Sequence, residues 1–589
     1  LLVLSAALAG PALAPSSTGV TGVTSLRFDA EILADLGVAL SDVNTSSAPL
    51  RDGALAFALD PPSSSVVLDA AGDDFEGFVA AELRHAGGLA LHVHGTRVDL
   101  AGFRLMAAAP PHALELRDAH GTLWLLVDKP HGVLTPPSLK LSDADLLIAP
   151  ELAALLGRPD LAGTYIGVFD SQLTVPPTSA ARSGAGLAGG GGCVGDFTQP
   201  VDLVMFDITG MTQAVREPGG RVAMAPGATV LNQGPGDVRW NRAIAPSTPV
   251  GPHPFLSLHF YRLSGGVLEQ IGRADLKHTF FATNEGCGCP GGHILYAGCF
   301  DFYGISTNLD RFNLGPRDEI DALTLAWSSL GSHFDGVPVD DVRNHSGDSQ
   351  HDNFQHRLVV MEPDLQTPGA RYFYDGWYMA PNDSDLENSM GHREVDPNLA
   401  GSTWSFPTVD SGTQTGSILD VFVDPGNVQP GEATELHDTG EGRVQLAAVA
   451  SDLGAGQHHY EYALMNFDFE RRVRSFTVSL DPGQAASNVD FGDGDASAAN
   501  DWTASVSDAG VTWTAPAGQE LDWGTLFNFR LDVDAPPLET RALLMPQAPG
   551  ATDAVAVRTV PEPGAGASLA ASAALLAWLS RGRSRRTVN

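Results

Sequence analysis

Between Lys277 and Gly304 the chain gathers His278, Cys287, Cys289, His293, Cys299 and Asp301. Thiolate and imidazole are good ligands for zinc or copper. The order Cys-x-Cys, then His, then Cys departs from the paired C-x2-C knuckles of structural zinc sites. In an oxidising compartment the same cysteines form disulfides, so a disulfide-pinned loop is the first expectation and a metal the alternative. With Cys193 there are four cysteines, which allow three pairings. Cys287 and Cys289 are one residue apart, too close for an unstrained closure. The preferred arrangement is Cys289 with Cys299, leaving Cys193 to reach Cys287. A loop of about ten residues closed in this way adds roughly 2–3 kcal/mol.

A second cluster mixes His333, His345, His351 and His356 with Asp335, Asp340, Asp341, Asp348 and Asp352. Such a mixture can bind a cation or supply a general base near neutral pH. The histidine spacings do not follow H-E-x-x-H, and a polar surface loop before the strand at His356–Val360 is the simpler reading. A third cluster sets Asp490, Asp493, Asp495, Asn500 and Asp501 around Gly492 and Gly494. Calcium takes six to eight oxygens from acidic loops of this kind. The EF-hand spacing and its terminal Glu are missing, so a solvated Asp/Gly turn competes with the calcium reading. Asp383, Asp385 and Glu387 form a similar, smaller group. No cofactor is identified; calcium is the first candidate ion, zinc or copper the second. The G-x-G-x-x-G match at Gly184–Gly189 has neither the leading strand nor the following helix that phosphate binding needs. No nucleophile elbow, P-loop or zincin motif occurs. A triad is geometric rather than sequential, so distant residues remain open to it.

Short β-rich runs bounded by Gly, Pro and Asp must position these residues. The 589 residues suggest three or four domains. Residues 23–175 form an N-terminal β-rich unit, in which "ADLLIAPELAALLG" predicts a short helix. Residues 176–192, rich in Gly, Ser and Ala, form a linker. Residues 193–415 form a central β domain with the Cys/His loops. Residues 425–548 repeat strands at sandwich-like spacing. In "ARYFYDGWYMA", Tyr372, Tyr374 and Tyr378 share one face, and Phe373, Trp377 and Met379 the other, which predicts a strand buried on both sides. The fold class expected is mostly β: two or three sandwich-like antiparallel β domains in series, with a single hydrophobic helix at the C-terminus.

The formal charge of −36 rules against nucleic acid, which needs a basic footprint. It favours cations or basic surfaces. From Ala565 to Leu579 there is no charged residue, and Arg581, Arg583, Arg585 and Arg586 follow at once. Fifteen residues make a helix of about 22 Å, a borderline span for a hydrocarbon core of about 30 Å. Basic residues beside an apolar segment stay cytoplasmic, so the tail is expected to act as a stop-transfer signal. At the other end, residues 1–14 are an apolar run followed by small residues, the expected remnant of a signal peptide.

Val560, Pro561, Glu562 and Pro563, then the apolar stretch, then the arginines resemble the PEP-CTERM sorting signal of Gram-negative bacteria, here over 560–586. The resemblance implies processing by an exosortase near the Pro-Glu-Pro, transient anchoring in the inner membrane and a mature location that is secreted or on the cell surface. "YRLSGGVLEQIGRADLKHTFF", "GCFDFYGISTNLDRFNLGPRDEI" and "HHYEYALMNFDFERRVRSFTVSL", in that order, resemble a family of exported bacterial proteins without an assigned activity, over about 230–535. Company with secreted polysaccharide is implied, and no catalytic residue is carried over. The expected partners are thus the exosortase and the secretion machinery, with extracellular polysaccharide beyond them. The leading expectation is a non-catalytic surface or matrix protein. The alternatives are a metal-dependent extracytoplasmic enzyme built on the His/Asp cluster and a calcium-stiffened adhesion module.

Overall fold

The computed structural model describes residues 19–558 apart from 51–52, 72–73, 110–112, 176–179, 182–192, 246–248, 311–312, 345–351, 410, 481–482, 508–509, 535, 537–540 and 548–554. Strand accounts for 51% of the chain and helix for 7%, so helices only plug gaps between sheets. The sheets are separate and almost wholly antiparallel. Among the described residues no helix is long and apolar enough to cross a membrane. The signal remnant 1–14 and the sorting segment 560–586 lie outside the described residues.

The N-terminal unit is built on an eleven-stranded sheet, with a three-stranded sheet of Val38–Asn44, Gly88–Val93 and Thr96–Asp99 beside it. Within the 176–192 linker, Ala180–Ala181 is described: it adds parallel to Leu68 and Asp69 at the sheet edge. "ADLLIAPELAALLG" corrects the expectation of one helix. Its first part finishes the strand Ser138–Ile148, and only Pro150–Leu155 is helical. Asp145–Ile148 pairs with Leu125–Asp128 on one side, and Ala144–Leu147 with Tyr165–Phe169 on the other. Two ladders outweigh local helix preference. Pro150 then starts the helix at its first turn, where a missing N–H costs nothing.

The central unit is organised by a twelve-stranded sheet. In its middle, Phe255–Ser264 pairs with Val267–Arg273 on one side and Arg371–Met379 on the other. Side chains alternate between faces, and here both faces are largely apolar. Leu256, Leu258 and Phe260 join Tyr372, Tyr374 and Tyr378 in one core, against the small sheet of Leu203–Ile208, Ala228–Asn232 and Phe300–Tyr303. Phe255, Tyr261, Phe373, Trp377 and Met379 face the opposite way, into a core completed by Ala463, Met465, Phe467 and Leu526 of the C-terminal unit. The strand buried on both sides is as the sequence predicts.

The C-terminal unit is a sandwich of two five-stranded sheets. One contains Arg443–Gly454, Gln457–Asn466 and Thr525–Val533; the other contains Val473–Ser479, Gly510–Thr514 and Arg541–Pro546. Tyr462, Leu464, Phe529 and Leu531 meet Phe476, Val511, Trp513 and Leu544 between them. The first sheet therefore buries its inner face in the sandwich and its outer face on the central sheet. Residues of the central unit, Ala214, Ala225, Ile305 and Leu309, likewise enter the N-terminal core. The three units share cores at both junctions.

Candidate functional site

The strand end at Leu276–His278 and the loops after it collect the histidines of the central unit. His278 is buried, and its Nδ1 lies 2.9 Å from Nε2 of His253. Nδ1 of His253 faces the Gly251 carbonyl at 2.8 Å, and a carbonyl can only accept. Nδ1 of His253 therefore carries the proton, its Nε2 accepts from His278, and His278 keeps a lone pair on Nε2. That atom is buried without a hydrogen-bond partner among the described residues. Burial lowers the pKa of His253 to about 4 and that of His278 well below the usual value, so both rings are neutral at pH 7. The rings of Phe255, Trp327 and Phe334 stand 4.8–4.9 Å from His278.

Phe334 links this pair to a second one. His333 and His356, twenty-three positions apart, bring their rings to 4.6 Å. His356 donates through Nδ1 to Asp275 Oδ2 at 2.5 Å. A carboxylate on one ring nitrogen fixes the tautomer, the orientation that metal-binding histidines also use. Glu319 accepts from the His333 backbone N–H at 2.6 Å and from Trp327 Nε1 at 3.3 Å. Burial raises its pKa above the usual carboxylate value. Of the sequence candidates, His278 and His356 thus lie in one aromatic-lined region, and His351 lies outside the described residues. His253, Asp275 and Glu319 escape the sequence reading because each is an isolated residue in an unremarkable run.

The cysteines form two disulfides, but not in the preferred pairing. Cys193 bonds Cys289, and Cys287 bonds Cys299. The turn Glu285–Gly288 explains the exchange. Gly286 and Gly288 both adopt positive φ, 79° and 73°, a conformation glycine reaches without penalty. The turn sets Cys287 beside the segment of Cys299, where Glu285 pairs with Phe300, and leaves Cys289 to Cys193. The sulfurs of Cys287, Cys289 and Cys299 lie within 4.8 Å of one another. All are consumed in disulfides and supply no thiolate to a metal. His293 turns its Nδ1 to the Trp240 carbonyl at 3.3 Å. Asp301, beside the second disulfide, is buried and has its pKa raised to about 8 by that burial.

A buried Ser–His–Asp line also appears that sequence spacing did not announce. His259 donates from Nδ1 to Asp375 Oδ1 at 2.7 Å, and its Nε2 is 3.0 Å from Ser257 Oγ. Those are the separations of a catalytic triad. Two features make it structural. Arg317 Nη2 donates to Ser257 Oγ at 2.6 Å and reaches His259 Nε2 at 3.0 Å, occupying the lone pair a general base would use. The C-terminal unit also covers it: Arg317 lies over the Trp523 ring, and a Cβ at Gly524 would come within 2.5 Å of Arg317 Nη1. Ser257 and His259 are 0% and 1% exposed, which leaves no approach for a substrate.

The acidic loop of the sandwich divides. Asp490 pairs with Arg530 Nε at 3.0 Å. Asp493 and Asp495 turn instead to a cleft of about 390 Å3 that also includes Asn500, Glu520 and Gln270. Asp501 acts on Asp493 electrostatically and, with Asp495, helps burial raise its pKa. A larger cleft of about 560 Å3 lies between Trp377, Asp383, Asp438 and Arg443. The pKa of Asp383 there is raised to about 7, chiefly by burial. Aromatic platforms for sugar are scarce. No tyrosine and no described tryptophan is exposed, and Phe206, at 56%, is the most exposed aromatic ring described. Searches against protein-family models and against curated proteins find no match to this chain.

Proposed function

We propose that this chain is a non-catalytic protein of the bacterial surface or extracellular matrix, exported and then sorted by an exosortase acting at Val560-Pro561-Glu562-Pro563. The observation that carries this reading is the pair of disulfides, which leaves no free cysteine among the described residues. Disulfides persist in oxidising compartments and are rare in the cytosol. The fused β layers and the charge of −36 suit a rigid, soluble body that does not aggregate. The Ser257–His259–Asp375 line, blocked by Arg317, lends no support to hydrolysis. With no tyrosine and no described tryptophan exposed, association with polysaccharide falls to acidic groups and bridging cations rather than to stacking on sugar rings.

The test is to replace Pro561, Glu562 and Pro563 by alanine in the full chain and follow processing and release. Retention of an uncut form in the inner membrane supports the reading. Unchanged processing and release refutes the sorting role, and recovery of the intact chain from the cytosol with reduced thiols refutes export.

A second reading has one specific observation in its favour. Asp275 bonds His356 as a carboxylate does beside a metal-binding histidine, and the His333 ring stands 4.6 Å from that of His356, so a metal-dependent extracytoplasmic activity is the alternative. Elemental analysis separates the two: stoichiometric zinc or copper, lost in His333→Ala and His356→Ala, favours the enzyme, and a metal-free protein favours the matrix role.

A further inference from the structure

We infer that the cleft between the central sheet and the C-terminal sandwich is a calcium site, built by Asp493, Asp495 and Asn500 with Glu520 as the fourth side chain. It goes beyond the matrix reading and does not depend on it, because calcium binding can be measured on purified protein wherever the cell sends it.

Two separate loops converge there. On the first, Asn500 Nδ2 donates to Asp493 Oδ2 at 2.8 Å and to Asp495 Oδ2 at 3.0 Å. One small group thus sits where two carboxylates meet. The amide's other end, Oδ1, is buried with no partner among the described residues. Rotating the amide by half a turn exchanges the two ends. Oδ1 then faces the two carboxylates, an arrangement that a cation relieves.

The second loop supplies an independent observation. Glu520 is 9% exposed, and its Oε2 has no hydrogen-bond partner among the described residues. Its Oε1 accepts a bond of only 3.3 Å from Gly518 N–H. A buried carboxylate oxygen without a donor is costly, and Glu520 lines the same cleft as Asp493, Asp495 and Asn500. The loops are tied by Trp502 Nε1, which donates to the Gln519 carbonyl at 2.9 Å. The cations nearby are committed elsewhere. Arg472 pairs with Asp522 at 3.2 Å, and Arg273 binds Thr525 Oγ1 and the Trp523 carbonyl. Negative charge is left over at Asp493, Asp495 and Glu520.

The donors are all oxygens, on loops, with carboxylates in excess. That set suits calcium, which accepts six to eight oxygens in flexible geometry, better than magnesium, which demands a tight octahedron, or zinc, which prefers nitrogen and sulfur. The location gives the ion a purpose. A Cβ at Gly494 would stand 2.0 Å from the Gln270 carbonyl, so the loop already touches the central sheet. An ion here locks the sandwich loop against it.

The test uses the full purified chain, stripped with EGTA and titrated with calcium chloride by calorimetry, with thermal melts in parallel. One saturable site is expected, with a Kd of order 10⁻⁴–10⁻³ M as in extracellular modules, and a melting temperature that rises with calcium. Glu520→Gln and the double variant Asp493→Asn/Asp495→Asn should each weaken binding by about tenfold or more, with circular dichroism reporting that each is folded. Because Trp502 is adjacent, terbium bound at this site should luminesce on tryptophan excitation, and the signal should fall in Trp502→Phe. Absence of binding at about 5 mM calcium, or binding unchanged in both acidic variants, overturns the site. If a variant does not fold, the terbium signal of Trp502→Phe decides: a signal equal to that of the unaltered chain rejects this location.

Discussion

Cys193 is bonded to Cys289, ninety-six positions away, while Cys287, two residues before Cys289, closes a loop of only twelve with Cys299. In the chain-entropy picture the long closure restrains the unfolded chain more, by about 4–5 kcal/mol against about 3 kcal/mol for the short one. Removing Cys193 and Cys289 together, as serines, should therefore lower the denaturant midpoint more than removing Cys287 and Cys299. A peptide map without reduction should recover these two cross-links and no others.

Asp301 should make the protein less stable as pH rises. Its Oδ1 accepts from Thr283 N–H at 2.7 Å, but burial dominates and pushes its pKa to about 8, against about 4 in the unfolded chain. Between those values the folded state holds a proton that the unfolded state has lost. The contribution is therefore complete below pH ~4 and fades as pH climbs through 8. Asp301→Asn keeps the acceptor for Thr283 and removes the titration. Its melting temperature should fall less between pH 6 and 9 than that of the unaltered chain. Lys277, pushed down to about 8 by burial, works in the opposite sense and is common to both proteins, so the difference between the two curves isolates Asp301.

Ser257 should be inert. Arg317 holds both its hydroxyl and the His259 ring nitrogen, and the serine is fully buried. A fluorophosphonate probe should leave Ser257 unlabelled in the folded protein, as seen by mass spectrometry of its peptide. Labelling at that residue would revive a hydrolase reading.

Gly494 should tolerate no side chain. Its φ of +85° is unfavourable for any other residue, and a Cβ would meet the Gln270 carbonyl. Gly494→Ala should cost at least about 1–2 kcal/mol from the backbone alone, visible in a denaturant titration.

Much of the architecture was legible in the sequence. Apolar side chains on both faces of Arg371–Met379 announced a strand covered on two sides, and the strand spacing of 425–548 announced a sandwich. Local information ended where long-range pairing decided. Nothing near Cys287 shows that two glycines with positive φ turn it towards Cys299. Nothing in "ADLLIAPELAALLG" shows that ladders on both flanks hold its first half extended. The site residues followed the same divide. His278, His356, Asp493 and Asp495 stand in conspicuous clusters. Asp275 and Glu520 come from other parts of the chain, and only the folded arrangement brings them into play.

The central sheet keeps neither face for water: one side is closed by its own small sheet, the other by the sandwich. The last two units are therefore not interchangeable modules. Cutting between them would bare an oily surface on each half, so neither should survive as a separately expressed fragment. Over evolutionary time they should be inherited or lost as a block, and a recombination event that parts them should leave insoluble products.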